Sequence, residues 1–375
     1  MNYKSEIAQI KELYPEERIR KSKERYKAIW DLKTPSDRIP FAFWWYPFNS
    51  GFDVEGLDLL DKEKRLQYLI LQIKAKAGLD DDYIPGLWSE ERPPIIAAAF
   101  GCELVHERST HFWTKPIINS PKDVYKLKIP DLKHQGLTKE ALENTKNYRK
   151  MTYGKLPIYL CDMQGPLSLA SLMWNYQDLL MALLTNPKEV HALLRLLTEA
   201  IIKFLYLMIE ASEGDIIPLE CFPFAWMPMD KGVSVSDDLL AILSPEQYKE
   251  FNVPYLQQIA DEFGGLVIHS CGNFSHNLEN LSKIKNLVGI NFGSSEMPIE
   301  EIVEKMDSRY VLLTHRGIKG QTGLYSGKDH IDAVMPTFRK GVPGCIFFDY
   351  TREFKDENEL KETCKYAIKE CVLKK

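Results

Sequence analysis

Short apolar runs alternate with longer amphipathic segments over most of the chain, and this alternation predicts strands and helices in turn. The runs read as strands lie at 157–163, 215–221, 265–271, 286–292, 309–315 and 344–350. The helical patterns lie at 177–211, 238–263, 277–285, 298–306, 328–340 and 355–373. Apolar strands that alternate with helices are typical of a parallel sheet covered by helices. Six or more such units favour an α/β fold of the (β/α)8 TIM-barrel type over an open sheet.

The first 90 residues have a different pattern. Residues 1–30 carry a sparse apolar stripe that predicts helix, and 61–79 read as helix again. Between them, the run 41–46 is short and rich in aromatic strand formers. We therefore predict a helical and aromatic extension over 1–90 that packs on the barrel, and a single compact barrel over 91–375.

Charge and composition exclude several classes of protein. Lys and Arg number 48 against 53 Asp and Glu, a net charge of −5, which argues against nucleic-acid binding by bulk charge. No apolar run approaches the roughly 18–20 residues that cross a bilayer, and the charged N-terminus is unlike a secretory signal. Seven cysteines without regular spacing predict a cytoplasmic protein with reduced thiols. A G-x-G-x-x-G turn after the first strand is absent, which weakens a dinucleotide-binding interpretation.

Polar residues at the carboxyl ends of the predicted strands are the candidates for chemistry, because active sites of (β/α)8 barrels lie at that face. Each has a structural alternative, since short strands end in polar loops in any case. The candidates for catalysis, and for anion or substrate binding, are Glu220, Asp238, Glu296, His315 and Arg316. Glu220 and Glu296 can equally interact with a helix N-terminus, Asp238 can be a helix cap, and His315 with Arg316 can simply cap the strand.

His269 and Cys271 form the sharpest local pattern. In an ideal strand, residues i and i+2 point to the same face, so the imidazole and the thiol can reach one ion. This donor pair suits Zn²⁺. The structural alternative is a buried histidine beside an inert buried cysteine, because free cysteine is among the most buried residue types.

Aromatic side chains near a barrel mouth can enclose a planar ring or a cation. The segment 221–232 leaves a predicted strand end directly, so we expect Phe222, Phe224 and Trp226 to form a wall of the pocket. The aromatic residues before the barrel are more simply explained as core of the extension.

Several of these motifs together resemble one family. The sequence HSCGN at 269–273 follows LSPEQYKEFNVPYLQQIADEFGG, and GPLSLASLMW at 165–174 precedes NPKEVHALLRLLTEAIIKFL. This combination is similar to the uroporphyrinogen decarboxylase superfamily over residues 150–292. The resemblance implies a (β/α)8 barrel with an N-terminal helical extension.

The superfamily contains two chemistries. True uroporphyrinogen decarboxylases carry an arginine-rich loop like R-Q-A-G-R that grips carboxylates, whereas residues 41–48 of this chain contain no arginine. The G-H-G near the last strand is also missing, and Asp349-Tyr350-Thr351 stands there. The resemblance therefore points to the cobalamin-dependent methyltransferases, whose zinc is held by an H-x-C pair, matched by His269 and Cys271, and a later cysteine.

The chain differs from the cobalamin-dependent methyltransferases at the position of the third zinc ligand. Cys345 begins its strand, whereas the family's third ligand ends it, and six residues span about 20 Å along a strand. Glu220 or Cys221 could complete the set instead, and at most one of these neighbours faces the site.

The resulting hypothesis is zinc-dependent methyl transfer between a small methylated compound, or an acceptor thiol or folate, and a separate corrinoid protein that carries the cobalamin. Two alternatives remain open: a metal-independent decarboxylase or lyase of a small carboxylic acid, and a non-catalytic subunit that binds a corrinoid protein.

Overall fold

The computed structural model describes residues 1–44, 61–90, 92–108, 111–219, 225–306, 309–316, 326–349 and 354–373. Its strands are β1 Phe41–Trp44, β2 Leu87–Trp88, β3 Glu103–Arg108, β4 His111–Lys115, β5 Ile158–Tyr159, β6 Ile216–Ile217, β7 Val233–Ser236, β8 Leu266–Ser270, β9 Leu287–Gly293, β10 Val311–His315 and β11 Gly344–Asp349. Its helices are α1 Tyr3–Leu13, α2 Glu16–Trp30, α3 Lys62–Lys76, α4 Ile95–Ala99, α5 Gly136–Met151, α6 Pro166–Met173, α7 Tyr176–Thr185, α8 Pro187–Ala211, α9 Pro245–Phe251, α10 Val253–Phe263, α11 Leu278–Leu281, α12 Ile299–Lys305, α13 Gly327–Arg339 and α14 Glu357–Glu370.

Two parallel sheets form the wall of a barrel. Six strands follow the order β1-β11-β10-β9-β8-β7, and three follow the order β2-β5-β6. A parallel bridge between Gln164 and Ser236 joins the sheets on one side. On the other side the backbone N–H of Asp82 donates to the carbonyl of Phe41 at 2.8 Å. These parallel sheets, covered by helices, confirm the predicted fold of the TIM-barrel type, and the hairpin β3–β4 is antiparallel.

The amino-terminal end of the barrel is tied to α2 by buried charges. The Asp82 carboxylate accepts a hydrogen bond from the backbone N–H of Phe41 at 3.2 Å and pairs with Arg25 and Arg38. Because Phe41 begins β1, these contacts mark the face opposite the strands' carboxyl ends. The domain boundary at residue 90 stays a prediction, and within the first 90 residues β1 is a strand of the six-stranded sheet.

Local signals placed several element boundaries correctly. The long helical stretch divides at Asn186 because Pro187 starts α8 at a position where its missing N–H costs nothing. Ser244 caps α9, and Gln247 completes the reciprocal capping box. No helix in the described part of the chain is long and apolar enough to span a bilayer.

Other elements were not predicted. The strand β7 has only four residues, and α6 is buried almost all round, so it lacks the polar face that marks an amphipathic helix. The hairpin β3–β4 and the helix α5 were also missed. Of these, β7 matters for function, because its carboxyl end leads directly into Asp237 and Asp238.

Candidate metal centre

The imidazole of His269 and the thiol of Cys271 face each other at the carboxyl end of β8. The preceding residues of the strand are fully buried apolar side chains, which fix its register against β7 and β9. His269 is buried and Cys271 is partly exposed. The Cys271 Sγ lies 3.5 Å from His269 Nε2. The i, i+2 spacing therefore brings both donors to one point, as the sequence predicted.

A third donor comes from the neighbouring strand. Asp238 follows β7 and opens a short 3₁₀ turn, Asp238–Ala241. One carboxylate oxygen of Asp238, one nitrogen of His269 and the Cys271 Sγ all lie within 4.8 Å of one another. Asp238 is exposed, so the group opens to solvent at the barrel mouth.

The geometry and chemistry of these donors fit a zinc ion. Zinc holds sulfur at about 2.3 Å and nitrogen at about 2.0 Å, so tetrahedral ligands of these types stand about 3.5 Å apart. The Sγ–Nε2 distance of 3.5 Å matches that separation. A carboxylate and a thiolate would neutralise a dication, and three protein ligands leave a fourth position open, as in catalytic zinc sites.

The His269 ring is oriented from its far side by Asn291. The Nδ1 atom of His269 lies 2.5 Å from Asn291 Oδ1. Asn291 is buried in β9, directly beside His269 in the sheet register. A hydrogen bond on the second ring nitrogen is the usual support of a metal-bound histidine. The nitrogen that faces Cys271 is therefore the one that would hold an ion.

Two carboxylates hold the backbone that follows β8. Asp238 Oδ1 accepts from the backbone N–H of Cys271 at 3.1 Å, and Glu296 Oε2 accepts from that of Gly272 at 2.9 Å. Gly272 has a φ of +81°, and a Cβ there would lie 3.2 Å from the Cβ of Ala241. This left-handed turn requires glycine and lets the two loops approach closely. Glu296, predicted to bind substrate, contacts the backbone directly after Cys271.

Asp237, which the sequence offered together with Asp238 as a helix cap or a base, is a buried anchor. Its carboxylate accepts from Tyr248 at 2.6 Å, Asn252 at 2.5 Å and Ser168 at 3.1 Å. Burial raises the pKa of Asp237 to about 6, while the three donors act in the opposite direction. These contacts attach the end of β7 to α6 and α9, and so fix the start of the turn that carries Asp238.

His315 and Arg316 end β10 on the same face of the barrel. The His315 ring centre lies 5.7 Å from that of His269, and its Nδ1 lies 3.4 Å from Asn291 Nδ2. Arg316 is almost fully buried, and its charge lowers the pKa of the neighbouring His330, secondary to burial. His315 thus adjoins His269, one of the three candidate metal ligands.

Cys345 lies near the start of its strand, as the sequence indicated. It is the second residue of β11 and is fully buried. Burial, followed by the Asp82 carboxylate, raises the pKa of its thiol well above the usual value. Asp82 also accepts from the backbone N–H at the start of β1, and the three clustered donors are Asp238, His269 and Cys271, without Cys345.

The remaining candidates are not part of this cluster in the described structure. Trp226 lies against α2: its carbonyl accepts from Trp30 Nε1 at 2.9 Å, and Lys23 Nζ is 5.2 Å from the Trp226 ring centre. The other predicted residues fall outside the described part of the chain, namely Glu220, Cys221, Phe222 and Phe224.

The parallel barrel and the histidine–cysteine pair that follows β8 are both features that the HSCGN motif and its neighbouring segments predicted. The sequence model of the uroporphyrinogen decarboxylase (URO-D) family matches residues 94–218 and 230–313, more than half of the chain. The chain therefore belongs to the uroporphyrinogen decarboxylase family, which confirms the predicted superfamily.

Individual relatives are distant. A uroporphyrinogen decarboxylase from Campylobacter concisus is 28% identical over 177 residues, which are 45% of this chain and 45% of that protein. The match thus spans less than half the length of this relative. A methyltransferase from Methanosarcina mazei superposes with a TM-score of 0.68 at 18% identity, over 92% of this chain and 98% of that one. At this identity the similarity shows the shared fold.

Proposed function

We propose that the chain is a zinc-dependent methyltransferase that exchanges a methyl group between a small compound and a separate corrinoid protein. The observation that carries the proposal is the convergence of Asp238, His269 and Cys271 within 4.8 Å at the catalytic face of the barrel. A uroporphyrinogen decarboxylase needs no metal, so a set of three zinc-type donors favours the other branch of the superfamily. The similarity of fold to a methyltransferase is consistent with it.

Each of the three donors has a defined part in this proposal. Cys271 supplies a thiolate, His269 supplies the Nε2 lone pair, and Asp238 supplies a carboxylate oxygen. Asp238 takes the place that the sequence left open between Glu220, Cys221 and Cys345. The predicted role of Asp238 as a base is replaced by ligation, because its oxygen is already directed to the pair from β8.

Bound zinc would act as a Lewis acid on the oxygen, nitrogen or sulfur of the small compound, or would stabilise the anion of an acceptor thiol. The chain's own contribution is to hold the donors on two adjacent strands and to keep one side of the group open. His315 lies 5.7 Å from His269 between ring centres and is our candidate for a catalytic contact beside the metal. Arg316 and Glu296 are our remaining candidates for contacts with polar substrate groups.

The methyl partner in this proposal is a corrinoid carried by another protein, because we identify no cobalamin-binding region in the chain. The acceptor or donor is a small O-, N- or S-methyl compound, a thiol or a folate. A cytoplasmic setting suits the proposal because it keeps a cysteine ligand reduced, and the six described cysteines are free.

The test is metal content followed by methyl transfer. We expect the purified protein to bind one zinc ion per chain and the His269→Ala variant to bind much less. With a thiol acceptor and free methylcobalamin as the surrogate methyl donor, transfer should stop on chelation and return when zinc is restored. A wild-type protein with less than about 0.2 equivalents of zinc after zinc loading would remove the mechanism.

An added measurement distinguishes the decarboxylase alternative from the methyltransferase. The Campylobacter relative bears that name, so carbon dioxide release from a panel of small carboxylic acids should be measured beside methyl transfer. Release that persists in the presence of chelator and in His269→Ala would favour a metal-independent decarboxylase. Turnover of neither kind, with zinc bound, would favour a binding subunit.

A further inference from the structure

Asn291 lies between the two histidines of the site and contacts both. Its Oδ1 is 2.5 Å from His269 Nδ1, and its Nδ2 is 3.4 Å from His315 Nδ1. The same Nδ2 donates to the backbone carbonyl of Leu313 at 2.7 Å. Asn291 is almost fully buried.

We propose that Asn291 is a positioning residue that sets the tautomers of His269 and His315, and thereby presents the Nε2 lone pair of His269 to the metal. The part that concerns zinc rests on the proposed function. The part that concerns the tautomers is a property of the chain itself and can be tested without metal.

The orientation of the amide follows from the Leu313 carbonyl. A backbone carbonyl can only accept a hydrogen bond, so the amide atom 2.7 Å away must be the nitrogen. The amide oxygen then faces His269, where it can only accept. The proton of neutral His269 must therefore be on Nδ1, which leaves Nε2, 3.5 Å from the Cys271 Sγ, unprotonated.

The second amide hydrogen fixes the other ring. One hydrogen of Nδ2 is used by Leu313, and the other is directed to His315 Nδ1 at 3.4 Å. That ring nitrogen accepts, so the proton of neutral His315 is on Nε2. The two histidines are thus held in opposite tautomers by one side chain: His269 with its Nε2 as a lone pair, and His315 with its Nε2 as a donor.

The amide of Asn291 differs from the groups that usually support a metal-bound histidine. Metal-bound histidines commonly donate to a carboxylate or a backbone carbonyl. A carboxylate at residue 291 would place a second acceptor against the Leu313 carbonyl and could not donate to His315. Only an amide offers an acceptor to one histidine and two donors to the remaining partners.

Nitrogen NMR of protein labelled with ¹⁵N in its histidine rings, without metal and at a pH where the rings are neutral, reads the tautomers directly. Single His269→Gln and His315→Gln variants assign the signals. We expect the wild type to carry the proton on Nδ1 of His269 and on Nε2 of His315. The Asn291→Ala variant should show a mixture of tautomers at both rings. A His269 protonated on Nε2 in the wild type would overturn the proposal.

Zinc affinity is the second readout. We expect Asn291→Ala to bind zinc about 10- to 100-fold more weakly, as for other supporting partners of metal ligands. Asn144→Ala is the matched control, because Asn144 is also buried and donates to a backbone carbonyl, that of Ser89 at 3.0 Å. It should destabilise the fold without changing zinc affinity.

The outcomes distinguish the two proposals. Wild-type protein that binds no zinc but shows the expected tautomers refutes the proposed function and leaves the tautomer assignment intact. Zinc binding that is unchanged in folded Asn291→Ala refutes the positioning role and leaves the proposed function intact.

Discussion

Asp238 and Cys271 are joined before any ion is considered, because the Cys271 backbone N–H donates to Asp238 Oδ1 at 3.1 Å. The bond connects the loop after β7 to the loop after β8. It places a carboxylate beside the thiol and holds it there at little further entropic cost when an ion binds. Under the proposed function, Asp238 held in this way would be the third ligand, in place of a cysteine that lies near the start of its strand.

Replacement of Asp238 should therefore weaken metal binding and leave the fold intact. We expect Asp238→Ala to lower zinc affinity more than about 100-fold, a larger loss than that from a supporting partner, measured by competition with a chromophoric chelator. Because Asp238 is exposed, the free energy of unfolding should change by less than about 0.5 kcal/mol. Asp230→Asn, at an exposed aspartate beyond the other end of β7, is the control and should bind zinc like the wild type.

The two cysteines discussed as ligands should behave oppositely. Cys271→Ser should abolish stoichiometric zinc, since a hydroxyl is a poor substitute for a thiolate ligand. Cys345→Ala should retain all of it, because Cys345 is buried near the start of β11 and is not in the group of Asp238, His269 and Cys271. The measurement is the zinc content of each folded variant, determined by atomic spectroscopy. Loss of zinc in Cys345→Ala, with the fold retained, would show that the thiol of residue 345 reaches the site.

The features that the sequence predicts correctly are those that one local pattern determines. The apolar run of β8 and the i, i+2 rule sufficed to bring His269 and Cys271 together, because a strand's periodicity is a local property. The parallel barrel likewise followed from the alternation of elements. For Asp238 the sequence predicts a cap or a base, because the four-residue β7 has no clear pattern and its end cannot be aligned with that of β8.

The contacts of Asn291 could not have been found in this way. Asn291 lies inside β9, where an apolar pattern predicts core, and its partners are on β8 and β10. A side chain that acts across three strands has no local signature, and only the sheet register identifies it. Glu296 and Gly272 illustrate the same limit, since their hydrogen bond joins residues 24 positions apart.

Glu296 offers a test between positioning and substrate binding. Glu296→Gln keeps an oxygen that can accept from the Gly272 N–H, whereas Glu296→Ala leaves that N–H without this acceptor, at a cost of about 1–3 kcal/mol. We expect Ala to lower both the free energy of unfolding and zinc affinity, and Gln to restore both. If the charge of Glu296 binds substrate, Gln will instead restore stability while KM stays raised.

The buried His330 should make the fold sensitive to acid. Burial, and secondly the charge of Arg316, lower the pKa of His330 to about 3. In the unfolded chain the imidazole titrates near pH 6.5, so below that pH the unfolded state binds a proton that the folded state excludes. The contribution of His330 to stability is present above about pH 6.5 and falls by about 1.4 kcal/mol per pH unit as the pH drops towards 3.

The matched variant is His330→Gln, whose amide can still donate to Thr314 Oγ1, the atom 3.2 Å from His330 Nε2. Urea unfolding of both proteins at pH 7.5, 6.0 and 5.0 gives the difference in their free energies of unfolding. We expect that difference to shift by about 2 kcal/mol in favour of the variant between the highest and lowest pH. Parallel pH profiles of the two proteins would show that His330 is protonated in the folded chain, contrary to its burial beside Arg316.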